Sequence, residues 1–253
     1  MISDMFSKPT SDTSFKPLIS WRPDALVSVV SLLILLAWDF SGGDMQMAQW
    51  WGQPSGFALR DDWWMVKVMH EGARNAGWVL LLAVLAGIWL PWGLLRHVAK
   101  TERVNLFLSV LVALLSITLI KGFSKTSCPW DLQVFGGMAT YVSHWNLFQI
   151  DGGGGHCFPA GHASTGFAFM AAYFSLRHSG APGARLWLVC ALLAGLVLGL
   201  SQQIRGAHFM SHTLWTGWIC WTTGYLCDRV ALALRTRFPS VTGAQQHEGS
   251  APL

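Results

Sequence analysis

Between residues 105 and 121 the chain reads NLFLSVLVALLSITLIK, an unbroken run without charge until its final lysine. Such a run constrains the fold more than any motif does. Backbone N–H and C=O groups immersed in hydrocarbon must find partners within their own segment, and a helix satisfies them all. About 20 residues at 1.5 Å rise are needed to cross the hydrocarbon core. Comparable runs lie at 24–42, 76–95, 162–177, 185–203 and 212–230. The expectation is therefore an all-α protein, a six-transmembrane-helix bundle. Composition enters only as support: 52% of residues are hydrophobic and 12% charged, with the apolar residues blocked into runs rather than spread along the chain. The runs at 24–42 and 162–177 are short for a span, and each also reads as a buried or re-entrant helix.

The Lys/Arg bias of short loops sets the orientation. With the N-terminus in the cytoplasm, Lys8, Lys16, Arg22, Arg96, Lys100, Arg103, Arg177, Arg185, Arg229, Arg235 and Arg237 all fall on the inner side. Arg60, Lys67, Arg74, Lys121, Lys125 and Arg205 fall on the outer side, among Asp44, Asp61, Asp62 and Glu71. This predicts an N-in, C-in topology. Residues 1–23 form a cytoplasmic segment ahead of a retained signal anchor, and 24–230 form one membrane domain. Its outer loops are 43–75, 122–161 and 204–211, and the polar tail 231–253 is expected to be disordered. The tryptophans of 43–75 suit an interfacial helix on the outer face. The net charge of +4 is modest, and the expected partner is the bilayer, not nucleic acid.

Three polar groups gather on the outer side. Lys121 ends the third span, His162 opens the fourth after GGGGHCFPAG, and Arg205, His208 and His212 lie between the fifth and sixth. Each has an ordinary explanation alone, since a lysine at a helix end snorkels to the interface and interfacial histidines are common. Their convergence at one depth, where basic groups are costly, points to a site. Its chemistry suits an anion. A glycine before a helix start, Gly161 here, lets backbone N–H groups approach a ligand, and the helix N-terminus favours negative charge. Lysine and arginine give charge-assisted donors to a phosphoryl group. Two histidines then serve as nucleophile and general acid. Of the five cysteines, Cys190, Cys220 and Cys227 lie in spans, whereas Cys128 and Cys157 lie in outer loops, where an oxidising compartment permits a disulfide.

At these residues the sequence resembles the type 2 phosphatidic acid phosphatase superfamily. The family pattern is Lys-x6-Arg-Pro, then Pro-Ser-Gly-His, then Ser-Arg-x5-His-x3-Asp. Lys121-x6-Cys128-Pro129 answers the first motif, with cysteine for arginine. Pro159-Ala160-Gly161-His162 answers the second, with alanine for serine. Ser201-Gln202-x5-His208-x3-His212 answers the third, with glutamine for arginine and histidine for aspartate. The resemblance implies that Lys121 and Pro129 belong to the phosphate-binding motif, that His162 is the acid, His208 the nucleophile and His212 its orienting partner. A second register makes His212 the nucleophile. Both motif arginines are missing; Arg205, three residues beyond Gln202, and Lys125, one turn after Lys121, are the candidates to replace them.

The resemblance implies a metal- and cofactor-independent phosphatase of the bacterial inner membrane, acting from the periplasmic side on a lipid phosphate or pyrophosphate through a phosphohistidine. A lipid phosphotransferase of the same family and an inactive ligand-binding relative are alternatives. His208-x3-His212 also has the spacing of a zinc pair, with His156 or His162 as third ligand, although the Glu of H-E-x-x-H is missing. A serine hydrolase using Ser164 or Ser211 would lack the G-x-S-x-G elbow.

Overall fold

A computed structural model describes residues 23–181 and 183–237; the N-terminal segment expected at 1–22 and the tail beyond 237 lie outside the described residues. The described chain is mostly helical. Its first helix, α1, spans Pro23–Phe40, with Pro23 at the first helical position, where its missing N–H costs nothing. The segment that follows, read from the sequence as an outer loop, is not the single interfacial helix expected. It folds as a short helix α2 (Gly43–Ala48), a two-stranded antiparallel hairpin of β1 (Gly52–Gln53) and β2 (Gly56–Phe57), and a wide-turned π-helix at Trp64–Gly72.

The π-helix runs directly into α3 (Ala73–Ala86). The second apolar run was expected at 76–95; helix instead ends at Ala86, and a short 3-10 turn occupies Gly93–His97. Pro91 explains the stop, because its ring and missing N–H oppose helix both at and just before it. The α4 helix is Lys100–Phe123. After a long loop, a helical run starts at Gly161 and passes through α5 (Ser164–Phe167) and a 3-10 turn into α6 (Ala171–His178). The bundle closes with α7 (Ala184–Ile204) and α8 (Met210–Arg237), the latter reaching into the segment read as tail.

Among the described residues, three helices, α1, α4 and α7, are long and apolar enough to cross a membrane. The run 161–178 is short because it is the bundle's centre rather than its surface. Phe167, Ala168, Phe169, Met170, Ala171, Ala172 and Phe174 are all buried, against Leu106, Val110, Ala113 and Ile117 of α4 and Cys220 and Trp221 of α8. Gly166 and Gly195 permit this packing, since a Cβ on Gly166 would strike the α7 backbone and one on Gly195 would strike Phe167. The opposite surface is apolar and exposed: Leu33 and Ile34 of α1, Val79 and Leu82 of α3, and Leu119 of α4 face outward. Buried polar residues gather most densely where α7 leads into α8, and a second group, Asp24, Glu102, Ser175 and Asp228, is buried at the opposite end.

Candidate active site

Backbone and side-chain hydrogen bonds knot the three polar segments together at that end. Cys157 N–H donates to Thr126 C=O at 2.9 Å, and His156 N–H donates to Ser124 C=O at 2.9 Å. The same two segments are cross-linked by the Cys128–Cys157 disulfide. Trp130 N–H donates to Gly206 C=O at 2.9 Å, tying the loop after α4 to the α7–α8 turn. Ala160 N–H donates to His212 C=O at 3.2 Å, and the Thr216 hydroxyl donates to Ala160 C=O at 3.1 Å. The entry to the central helix is thus held by the first turns of α8.

Residues 152–155, the four glycines, are pinned by a carboxylate. Asp151 accepts from Ser127 N–H at 2.6 Å, from the Ser127 hydroxyl at 2.8 Å and from Gly153 N–H at 3.0 Å. Gly152 and Gly155 have φ of 86° and 63°, backbone that favours glycine. This loop is a brace beside the site, and Asp151 makes it unsuited to hold a second anion.

The site residues divide into two groups. Lys121, Gly161 and His162 line one cavity of about 300 Å³, together with Arg74 and the apolar walls Trp78, Leu81, Leu114, Ile117 and Phe169. No carboxylate lines it among the described residues. Gly161 faces the lysine directly: a Cβ there would lie 3.8 Å from Lys121 Cδ. His162 is half-buried, and its Nε2 is buried without a protein partner among the described residues.

His208 and His212 form the second group, and both are buried. The sequence reading placed them one helical turn apart. In the structure α8 begins at Met210, so His208 lies in the turn before the helix. Their rings meet edge to face at 5.8 Å between centroids, without a hydrogen bond between them. His208 Nδ1 is 3.5 Å from the Cys157 sulfur, and a disulfide sulfur has no hydrogen, so the ring nitrogen is the donor in that contact. Burial holds His208 well below the ordinary imidazole range, and Lys121, His212 and His162 lower it further. His212 sits among Phe158, Phe209 and His144, and its Nδ1 is buried without a partner among the described residues.

One nitrogen each of His208 and His212 and the sulfur of Cys157 lie within 4.8 Å of one another. The donor set nevertheless does not fit zinc. Cys157 is committed to the disulfide, so two imidazoles remain, short of the three protein ligands a catalytic zinc site uses. Of the two suggested third ligands, His156 is exposed and turns Nδ1 to Lys121 C=O at 3.2 Å, and His162 lines the Lys121 cavity, outside the Cys157–His208–His212 cluster.

Arg205 and Gln202 meet as the spacing predicts. Arg205 Nη1 donates to Gln202 Oε1 at 3.0 Å, while Arg205 Nε donates to Arg60 C=O at 2.8 Å. This pair does not line the Lys121 cavity. Lys125 is exposed and does not line it either. Pro129 is buried at the start of the 3-10 turn Pro129–Asp131, where it shapes the loop.

Two further residues belong to the site and carry no motif. His70, in the π-helix, packs its ring against that of His162, with centroids 3.6 Å apart and the planes tilted by 31°. Its Nδ1 is 3.3 Å from Gln202 Oε1 and 3.4 Å from Arg205 Nη1. A protonated Nδ1 donates to the glutamine, and an unprotonated one accepts from the arginine. Burial lowers the affinity of His70 for a proton, with Arg205 and Arg74 adding to it and the Gln202 hydrogen bond opposing it. Arg74 follows one turn later. The only sequence signal for the two was their i, i+4 spacing beside a tryptophan-rich outer segment.

The described chain is a mostly helical protein with an apolar surface, in which a lysine and histidines from three separated motifs lie at one end. The profile of the PAP2 superfamily matches residues 102–235, more than half of the chain, and the chain belongs to that superfamily. No curated protein and no solved structure matches it significantly. Membership suggests phosphatase activity, and the helices long enough to cross a bilayer fit a membrane protein.

Proposed function

We propose that the chain is an integral-membrane phosphatase that hydrolyses a lipid phosphate or pyrophosphate from the extracytoplasmic side, through a phosphohistidine and without a metal. The observation that carries this reading is the composition of one cavity: Lys121, Arg74 and His162 at its polar end, apolar walls from Trp78, Leu81, Leu114, Ile117 and Phe169, and no carboxylate. Uncompensated positive charge suits a phosphate, and the apolar walls suit the tail that carries it.

In this reading His208 is the nucleophile. Its Nδ1 is turned to Cys157, which leaves Nε2 to attack phosphorus, and its depressed proton affinity keeps it in the neutral, nucleophilic form. The N–P bond forms as the P–O bond to the lipid breaks, and His162 gives its proton to the departing oxygen. Water then attacks phosphorus, passing a proton back to His162 as the N–P bond breaks and its electron pair returns to His208, and inorganic phosphate leaves. Lys121 and the backbone at Gly161 stabilise the equatorial oxygens throughout. His212 orients His208 through ring contact. The six-span, N-in and C-in topology of the bacterial inner membrane, drawn from the charge pattern, puts this end of the bundle in the periplasm.

Phosphate release by the detergent-purified protein, measured over a panel of lipid phosphates with EDTA present, tests the reading. Release that survives the chelator and disappears in His208→Ala is expected. Release that EDTA abolishes would overturn the metal-free mechanism.

A further inference from the structure

The two positions where the family pattern has arginine are already committed here. Cys128 is bonded to Cys157. The buried Gln202 amide accepts from Arg205 at 3.0 Å and lies 3.3 Å from His70. Lys121 alone would face the phosphoryl group as a point charge, without the paired donors of a guanidinium.

The helix leading into the second apolar run offers that guanidinium. Arg74 lines the cavity shared by Lys121, Gly161 and His162. It is exposed, and it enters none of the ion pairs among the described residues. The carboxylate three residues before it, Glu71, is taken by Lys67 at 2.9 Å. Gly77 fixes the approach, because a Cβ there would collide with Thr165, so α3 lies directly against the helical run that His162 opens. One turn before Arg74, the His70 ring packs against the His162 ring at 3.6 Å between centroids, tilted by 31°, and Gln202 and Arg205 hold its Nδ1. Both residues fall outside 102–235, the part of the chain that the family profile covers.

We propose that Arg74 is a phosphoryl-binding residue that takes over from the missing motif arginines, and that His70 is a positioning residue holding His162 beside it. The proposal rests on the phosphatase reading above. It makes the outer segment a working part of the site rather than a cover over it. The ligand it recognises is the terminal phosphoryl group, so it serves a phosphomonoester and a pyrophosphate alike.

Dioctanoyl phosphatidic acid as substrate and orthovanadate as ligand test it, on wild type, Arg74→Ala, Arg74→Lys, His70→Ala and His70→Phe in detergent. Arg74→Ala is expected to weaken KM and vanadate affinity about tenfold or more, with Arg74→Lys recovering part of both, as for loss of a charged hydrogen bond. His70→Ala is expected to lower kcat about tenfold at unchanged KM, and His70→Phe, which keeps a ring against His162, to restore most of it. Wild-type turnover or vanadate binding that Arg74→Ala leaves intact overturns the Arg74 assignment alone. His70→Phe no better than His70→Ala overturns the positioning role. Wild-type protein that neither releases phosphate nor binds vanadate overturns the phosphatase reading itself, and the proposal with it.

Discussion

At one end of the bundle Arg177 donates to both oxygens of Asp24, at 3.0 and 2.8 Å, and His178 lies 2.7 Å from Asp228. Glu102 is joined there to Arg235. At the other end Lys121 and Arg74 face a cavity that no carboxylate lines, and His162 and His212 each keep a buried nitrogen without a protein partner among the described residues. Both ends take charge and polarity out of water, at a cost that only partners offset. The first end carries its counterions within the chain and serves as a clasp among α1, α4, α6 and α8. The cavity at the second end has no such counterion in its lining, and on the proposed reading the bound phosphate supplies the negative charge.

Substitutions at the two ends should therefore fail differently. The largest effect is expected from His208→Ala, which should lower phosphate release by about a thousandfold or more while leaving the melting temperature close to wild type. His212→Ala should retain measurable turnover, because orientation contributes less than bond-making; the opposite ranking would move the nucleophile to His212. At the clasp, Asp228→Ala should behave in reverse. It removes a buried carboxylate from Arg177 and His178 and should cost about 2–3 kcal/mol of stability, read as a lower melting temperature, with turnover per folded molecule preserved. A large loss of turnover without a thermal shift would erase the distinction between the ends.

A third expectation concerns pH. Because His208 is held below the ordinary imidazole value of about 6.5, its neutral form persists as pH falls, and it is lost only at a lower pH. The acid limb of kcat/KM should accordingly lie below pH 6.5. A limb above it would mean that His208 is not the group titrating. The smallest effect belongs to Lys125→Ala, which should change KM less than about twofold, since an exposed lysine off the cavity contributes little.

How far these ends were legible in the sequence follows from what kind of signal each residue leaves. Hydrophobic runs located α1, α4 and α7 within a few residues, because a lipid-facing surface forces continuous apolarity. The central run 161–178 obeys a different rule: it is surrounded by protein, needs no such length, and breaks into 3-10 and α turns. Lys121, His162 and His208 were singled out through motif spacing. His70 and Arg74 were not, because a histidine near the end of a π-helix and an arginine at the start of α3 satisfy no motif and become visible only when α3 is laid against Thr165. The Gln202–Arg205 pair was read correctly as neighbours, yet its assignment as a replacement clamp needed the cavity, which it does not line.

The bond between Cys128 and Cys157 closes a loop over 29 positions of sequence, and one of its sulfurs touches the ring of His208. A dithiol added during purification to protect the protein would act here as a reagent on its active site. Reduced samples should lose turnover before they lose their helical circular-dichroism signal, and reoxidation should bring the turnover back. Activity in this protein will keep a record of the redox history of each preparation.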